Sequence, residues 1–223
     1  QIFHDSPSWT HGGKQNTRNP RDLRDVYRFA KRLAEHYRGR VQAWEVWNEP
    51  DIFFRPDLSD TFAGVQKAAY LGFKAGDPDL LVLQGSFCRG YSHFSESLFE
   101  SGIGDYSDIF NWHIYAPPSA YGATLDRYME MLERYQCDGR PVWLTEAGIR
   151  LRATEPGGEL NAEDERKQAA FIPKSFVRSR AAGTDNHFFF VYPYYLERGI
   201  QFGILRKDLS PRPGLAAFAA AAD

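Results

Sequence analysis

Cysteine is almost absent from this chain: Cys88 and Cys137 are the two that its 223 residues contain. Neither falls in a C-x-x-C or metal-ligand spacing, which removes the motif-based thiol-redox and zinc classes. The order of elements set out below puts Cys88 at the top of a strand and Cys137 at the far end of a helix. The pair is therefore expected to be too distant to bridge. Long apolar runs are missing too, so no segment reads as a membrane span, and no membrane partner is expected. Charge of one sign is not in excess: 27 Lys and Arg face 29 Asp and Glu, a formal net charge of -2. The basic residues are interspersed with acids and form no stripe, so nucleic acid is not an expected partner. No glycine-rich phosphate turn follows an early strand, which argues against an open nucleotide-binding sheet, and no cofactor is implied. The chain opens Gln1-Ile2-Phe3-His4-Asp5 with no basic and apolar leader. Nothing marks a targeting signal, and the sequence reads as beginning inside a domain, which leaves the compartment open.

What is present is a globular composition, 43% hydrophobic and 25% charged. A chain of this size can bury a sizeable core as one domain, here 1–223. Short apolar and aromatic runs alternate with segments of helical spacing. A first strand ends near His4, and a loop with Trp9 and Gly12-Gly13 leads to a helix over Arg21 to Tyr37. Val41 to Trp47 is the next strand; Ser59-Asp60 caps a helix to Ala75 with Gly76 as its stop; Leu80 to Gly85 is a third strand. A weak helix over His93 to Ser101 precedes the strand Ile109 to Tyr115 and a helix over Thr124 to Gln136. Pro141 to Thr145 is a strand, Asn161 to Ala182 a helix carrying Pro173, His187 to Tyr192 the last strand, and Pro211 to Ala222 the last helix. This alternation is the pattern of a parallel α/β sheet with helices outside it. Six strand-helix units can be counted. A closed TIM barrel needs eight, so the expectation is a (β/α)8 barrel that is incomplete at its N-terminal side.

Two glutamates stand where strands give way to loops. Glu49 ends Trp47-Asn48-Glu49-Pro50, and Glu146 ends Thr145-Glu146-Ala147-Gly148. In barrel enzymes the chemistry sits at strand C-termini. Paired carboxylates there suit glycosidic bond cleavage, one protonating the leaving oxygen and the other attacking or activating water. Period-two alternation puts Glu45, Trp47 and Glu49 on one face, Val142, Leu144 and Glu146 on another, and Asn111, His113 and Tyr115 on the strand between. Strict alternation turns Asn48 away, so its participation requires a twist or bulge at the strand end. Glu45 lies deeper on the same face and is read as a buried, hydrogen-bonded core group.

With His113-Ile114-Tyr115 between them, the two glutamate motifs resemble the clan A retaining glycoside hydrolases, including cellulase-like and β-xylosidase-like families. The closing stretch Gln201 to Leu205 through Pro213 adds to the likeness. The resemblance implies a retaining O-glycoside hydrolase acting on a β-linked carbohydrate substrate by double displacement. It makes Glu146 the nucleophile and Glu49 the acid/base, with Asn48 bonding the 2-hydroxyl and Tyr115 donating to Glu146. His113 matches a His-x-Tyr pattern of the clan, and His4 and Trp9 are further candidate sugar-binding residues. The clan's arginine from strand two has no counterpart here, and the tryptophan at the end of strand eight falls where Tyr192, Tyr194 and Tyr195 stand.

Other readings stay open. The chain fits a non-catalytic carbohydrate-binding or structural barrel fragment, or a metal-dependent hydrolase, although no metal-ligand spacing supports a site from His4, His11 and the glutamates. Trp47 and Trp112 lie within strands, where packing is expected, whereas Trp9, Phe53 and Phe54 lie in loops, where a sugar platform is as good a reading. Which sugar, internal or terminal cutting, and oligomeric state are not legible.

Overall fold

The structure is a computed structural model that describes residues 1–3, 5–12, 18–52, 58–153, 155 and 157–222. His4, Phe53 and Phe54 lie outside the described residues. Apart from the short helix α1(Ser8–His11), which stands where a loop was expected, the order of strands and helices is the expected one, β1(Ile2–Phe3), α2(Leu23–Tyr37), β2(Ala43–Val46), α3(Ser59–Gly76), β3(Leu81–Leu83), α4(His93–Glu100), β4(Phe110–Ile114), α5(Tyr121–Arg134), β5(Val142–Ala147), α6(Ala162–Ala182), β6(Asn186–Phe189). A small antiparallel pair, β7(Leu196–Glu197) and β8(Ile200–Gln201), and α7(Pro213–Ala222) complete it. Two compact units result, Gln1–Trp112 with Arg127–Trp143, and His113–Asp126 with Leu144–Asp223.

In the first unit β1 pairs in parallel with β2, and β2 with β3. Parallel bridges Leu83↔Ile109 and Phe87↔Trp112 carry the pattern on to β4. A parallel sheet covered by helices buries its strands, and Trp44, Val46, Val82, Phe110 and Trp112 are all buried. Trp44 stacks on Phe73 of α3 with ring centroids 5.5 Å apart. Helices α2 and α3 meet at two glycines: a Cβ on Gly72 would sit 2.3 Å from the Tyr27 carbonyl oxygen, and one on Gly76 2.5 Å from that of Lys31. Gly76 was expected to stop α3 and instead belongs to it, because what the position requires is close approach to α2. Leu58, not Ser59 or Asp60, is the N-cap, although the Asp60 carboxylate does accept the Thr61 N–H at 2.6 Å. The buried amide of Gln84 donates to the Tyr128 hydroxyl at 2.7 Å and the Asn111 carbonyl at 2.9 Å. Burial pushes the Tyr128 phenol well above its usual range. Cys88 and Cys137 are both free thiols.

In the second unit α6 starts at an Asn161 cap that accepts the Asp164 N–H at 2.9 Å and ends at Gly183, whose φ of 107° suits glycine. Pro173 lies inside it. Its inner face holds the His187 ring, stacked on Phe176 at 4.2 Å, with Nδ1 bonded to the Ser179 hydroxyl at 2.7 Å. Burial lowers the His187 pKa to about 4. Arg212 is fully enclosed and donates to Glu159 at 2.7 Å and to the Gly203 carbonyl at 2.9 Å. Phe188, within the expected last strand, is 49% exposed. β6 ends its sheet in the order β4-β5-β6, so among the described residues no strand pairs with its outer edge.

Candidate active site

The chain reaches Glu49 by breaking a strand. β2 stops at Val46, after which Trp47 has φ 73° and Glu49 φ 44°. Left-handed backbone at a residue with a Cβ costs about 1–2 kcal/mol, so surrounding contacts must hold it. The two reversals end the simple alternation. Trp47 turns into the core, fully buried and edge-on to Phe62 at 6.4 Å. Glu49 is buried as well, 6% exposed. Asn48 is half-buried, its backbone bridged in parallel to Ser86. Its Oδ1 is enclosed with no hydrogen-bond partner among the described residues. Glu45 is buried and accepts the Ser86 hydroxyl at 2.6 Å, as its deeper position suggested.

Glu146 is reached differently. β5 runs through to Ala147, so Glu146 lies within the strand rather than after it, with its side chain 17% exposed. Period-two alternation survives here, and the residues it placed together do meet. The Tyr115 hydroxyl donates to Glu146 Oε1. His113, buried, sets Nδ1 3.8 Å from Glu146 Oε2 and Nε2 3.2 Å from the Thr145 hydroxyl. The Tyr115 ring is packed edge-on by Phe202 at 5.5 Å and Phe190 at 6.4 Å, and the Arg150 guanidinium lies over it at 4.8 Å. Gly148 is needed for this closeness, since a Cβ there would stand 2.6 Å from the Phe190 carbonyl oxygen and 3.1 Å from the Tyr115 ring. Tyr195 borders the same carboxylate; burial and then the negative charges of Glu197 and Glu146 raise its phenol pKa.

The other candidates fall elsewhere. Trp9 sits on the short helix α1, where a loop was expected, and is 73% exposed. It lines an open cavity of about 400 Å³ with Pro20, Phe29, Arg28 and Arg32, and neither Asn48 nor Glu49 borders that cavity. Trp47 and Trp112 are core residues, as their strand positions indicated. Reading the sequence missed Arg150, Phe190 and Asp51. Asp51 follows the Glu49 motif directly, but its partners, the backbone N–H groups of Cys88 at 2.9 Å and Arg89 at 3.0 Å, are remote in sequence. Phe202 had a signal in the Gln201-Phe202-Gly203 stretch, though not one that pointed to Tyr115.

No family model and no curated protein matches the sequence. Solved structures do match its fold. A glucosidase from Croceicoccus marinus superposes with a TM-score of 0.76 at 18% identity, over 92% of this chain and 46% of its own. A family 39 glycoside hydrolase from Bacteroides cellulosilyticus gives 0.74 at 21% identity, over 99% and 49%. A family 39 β-xylosidase from Caulobacter crescentus gives 0.73 at 20% identity, over 97% and 52%. The structural neighbours are thus glycoside hydrolases, the class the glutamate motifs resemble, and this chain has their α/β fold. It spans about half the length of these neighbours.

Proposed function

We propose that the chain is a retaining O-glycoside hydrolase, one catalytic domain over 1–223 built as part of a (β/α)8 barrel. Glu146 is the nucleophile and Glu49 the acid/base. In the first step the Glu146 oxygen bonds the anomeric carbon while the bond to the leaving oxygen breaks and Glu49 gives that oxygen its proton. In the second, Glu49 takes a proton from water, whose oxygen displaces Glu146 from the sugar. The observation that carries this reading is the Glu146 carboxylate itself. It accepts a phenol hydroxyl from Tyr115 and has His113 beside it, so one oxygen is restrained while the side chain stays partly open. That is what an oriented anionic nucleophile needs. Asn48, with an enclosed and unsatisfied Oδ1, has the chemistry to bind a sugar hydroxyl. His4 is carried as a substrate contact on the sequence resemblance, and Trp9 on its place in the stretch after the first strand.

The neighbours include a glucosidase and a β-xylosidase, which makes aryl β-glucosides and β-xylosides the first substrates to try, followed by β-glucans, xylans and mannans. Wild type should hydrolyse at least one, and Glu146→Ala and Glu49→Ala should each lose turnover; equal turnover in all three proteins would sink the assignment. Proton NMR of the first product should show the anomer of the substrate, because retaining carboxylates stand about 5 Å apart. Since the chain spans about half of its neighbours' length, a non-catalytic carbohydrate-binding fragment is the second reading. Saturable binding without hydrolysis would select it.

A further inference from the structure

Glu49 sits on backbone that will not hold itself. Two left-handed residues, Trp47 and Glu49, lie within three positions, and neither is glycine. The turn closes weakly behind them, with the Ile52 N–H on the Glu49 carbonyl at 3.3 Å. Two ties bind this segment to the loop after β3. One is the parallel bridge from Asn48 to Ser86, backed by the Ser86 hydroxyl on Glu45. The other is Asp51, whose two carboxylate oxygens separately accept the N–H groups of Cys88 and Arg89 at 2.9 and 3.0 Å. A carboxylate spread over two consecutive backbone donors is a charge-assisted clamp, about twice as strong per bond as a neutral contact.

We propose that Asp51 is the positioning residue of Glu49, clamping the loop after β2 to the loop after β3 so that the Glu49 carboxyl is presented to the leaving oxygen. The inference rests on the acid/base role given to Glu49 above. Asp51 touches no reacting atom and acts through the backbone two residues away. Burial raises its own carboxyl, the backbone N–H groups of Cys88, Arg89 and Asp51 itself oppose this, and the charge of Glu49 adds a smaller push upward.

The test is the dependence on leaving group. Acid catalysis matters for glycosides whose leaving alcohol is a poor leaving group and hardly at all for dinitrophenyl glycosides. kcat/KM is measured with 2,4-dinitrophenyl and 4-methylphenyl β-glycosides of the sugar wild type accepts, for wild type, Glu49→Ala, Asp51→Ala and Asp51→Asn. Asp51→Ala should lose roughly 10- to 100-fold on the 4-methylphenyl substrate and less than about 3-fold on the dinitrophenyl one, the pattern of losing acid assistance. Asp51→Asn keeps one acceptor and the side-chain volume, so it should show the same split at smaller amplitude, and it carries the test if the alanine variant does not fold. An equal fall on both substrates, or none, overturns the inference. A flat response of Glu49→Ala, or a wild type inert on both, overturns the acid/base reading itself and the inference with it.

Discussion

The surroundings of Glu49 and Glu146 differ in how they place a carboxylate. At Glu49 the strand is abandoned: two positive-φ residues turn Trp47 into the core, and the backbone is then tied down by Ser86 and Asp51. At Glu146 the strand continues, and side chains do the placing: Tyr115 and His113 reach it from the next strand, and Thr145 holds the other ring nitrogen of His113. One carboxylate is positioned by backbone and one by neighbours. A strained backbone is spoiled by loosening its ties, whereas a side-chain cluster is spoiled by deleting a partner.

The largest effect that would break this contrast is removal of the carboxylates. Glu146→Ala should lower kcat by roughly 10³-fold or more on every substrate, because it removes the proposed nucleophile. Glu49→Ala should lose that much in kcat/KM only on poor leaving groups, while its kcat falls on all of them because the second step loses its base. Steady-state kinetics with a leaving-group series tells the two apart, and identical profiles would erase the distinction. Next comes Tyr115→Phe, which removes one hydrogen bond to a charged group, worth about 1.5–3 kcal/mol. The expected result is a loss of about 10- to 100-fold in kcat; an unchanged rate would show that the phenol merely packs.

Gly85→Ala and Gly148→Ala probe the tight spots of the two units. A Cβ on Gly85 meets the Val46 carbonyl oxygen at 2.5 Å and Phe62 at 2.7 Å, and on Gly148 the Phe190 carbonyl oxygen at 2.6 Å. Each should destabilise by about 1–3 kcal/mol in urea titration, the usual cost of overpacking. Gly148→Ala should also reduce activity, since it presses on Tyr115. The smallest effect is a pH dependence confined to the second unit. His187 binds its proton less well folded than unfolded, with a native pKa of about 4, so the unfolded chain takes up more protons. Stability is complete above the ordinary histidine range and is lost as pH falls toward 4. Between pH 7 and pH 5 the contribution should fall by about 1–2 kcal/mol, and His187→Gln should remove that slope from the denaturation midpoint.

Most of the fold's order was legible from periodicity, because buried parallel strands are short apolar runs and the helices between them are amphipathic. Boundaries were less legible. Gly76 has the composition of a helix stop but lies inside α3 against the Lys31 carbonyl, a reason that exists only once α2 is beside it. The last strand was expected over His187 to Tyr192, whereas β6 is Asn186–Phe189. At the site, His113, Tyr115 and Glu146 could be grouped from period two since their strands stay regular. Asn48 could not be, since strict alternation turns it away, and the local pattern carries no sign of the left-handed backbone at Trp47 and Glu49.

The sequence by itself determined the alternation of strands and helices, the burial of Trp47 and Trp112, the enclosed role of Glu45, and which side chains accompany Glu146. These follow from hydrophobic spacing and pleat geometry, both of which are properties of neighbours along the chain. Tertiary structure alone decided how Glu49 is held, through the bonds of Asp51 to Cys88 and Arg89 and of Ser86 to Glu45. It also decided that Arg150, Phe190 and Phe202 enclose Tyr115. The physical reason is range: periodicity is written residue by residue, whereas a backbone clamp or a ring packed on a ring depends on groups that only folding brings within contact.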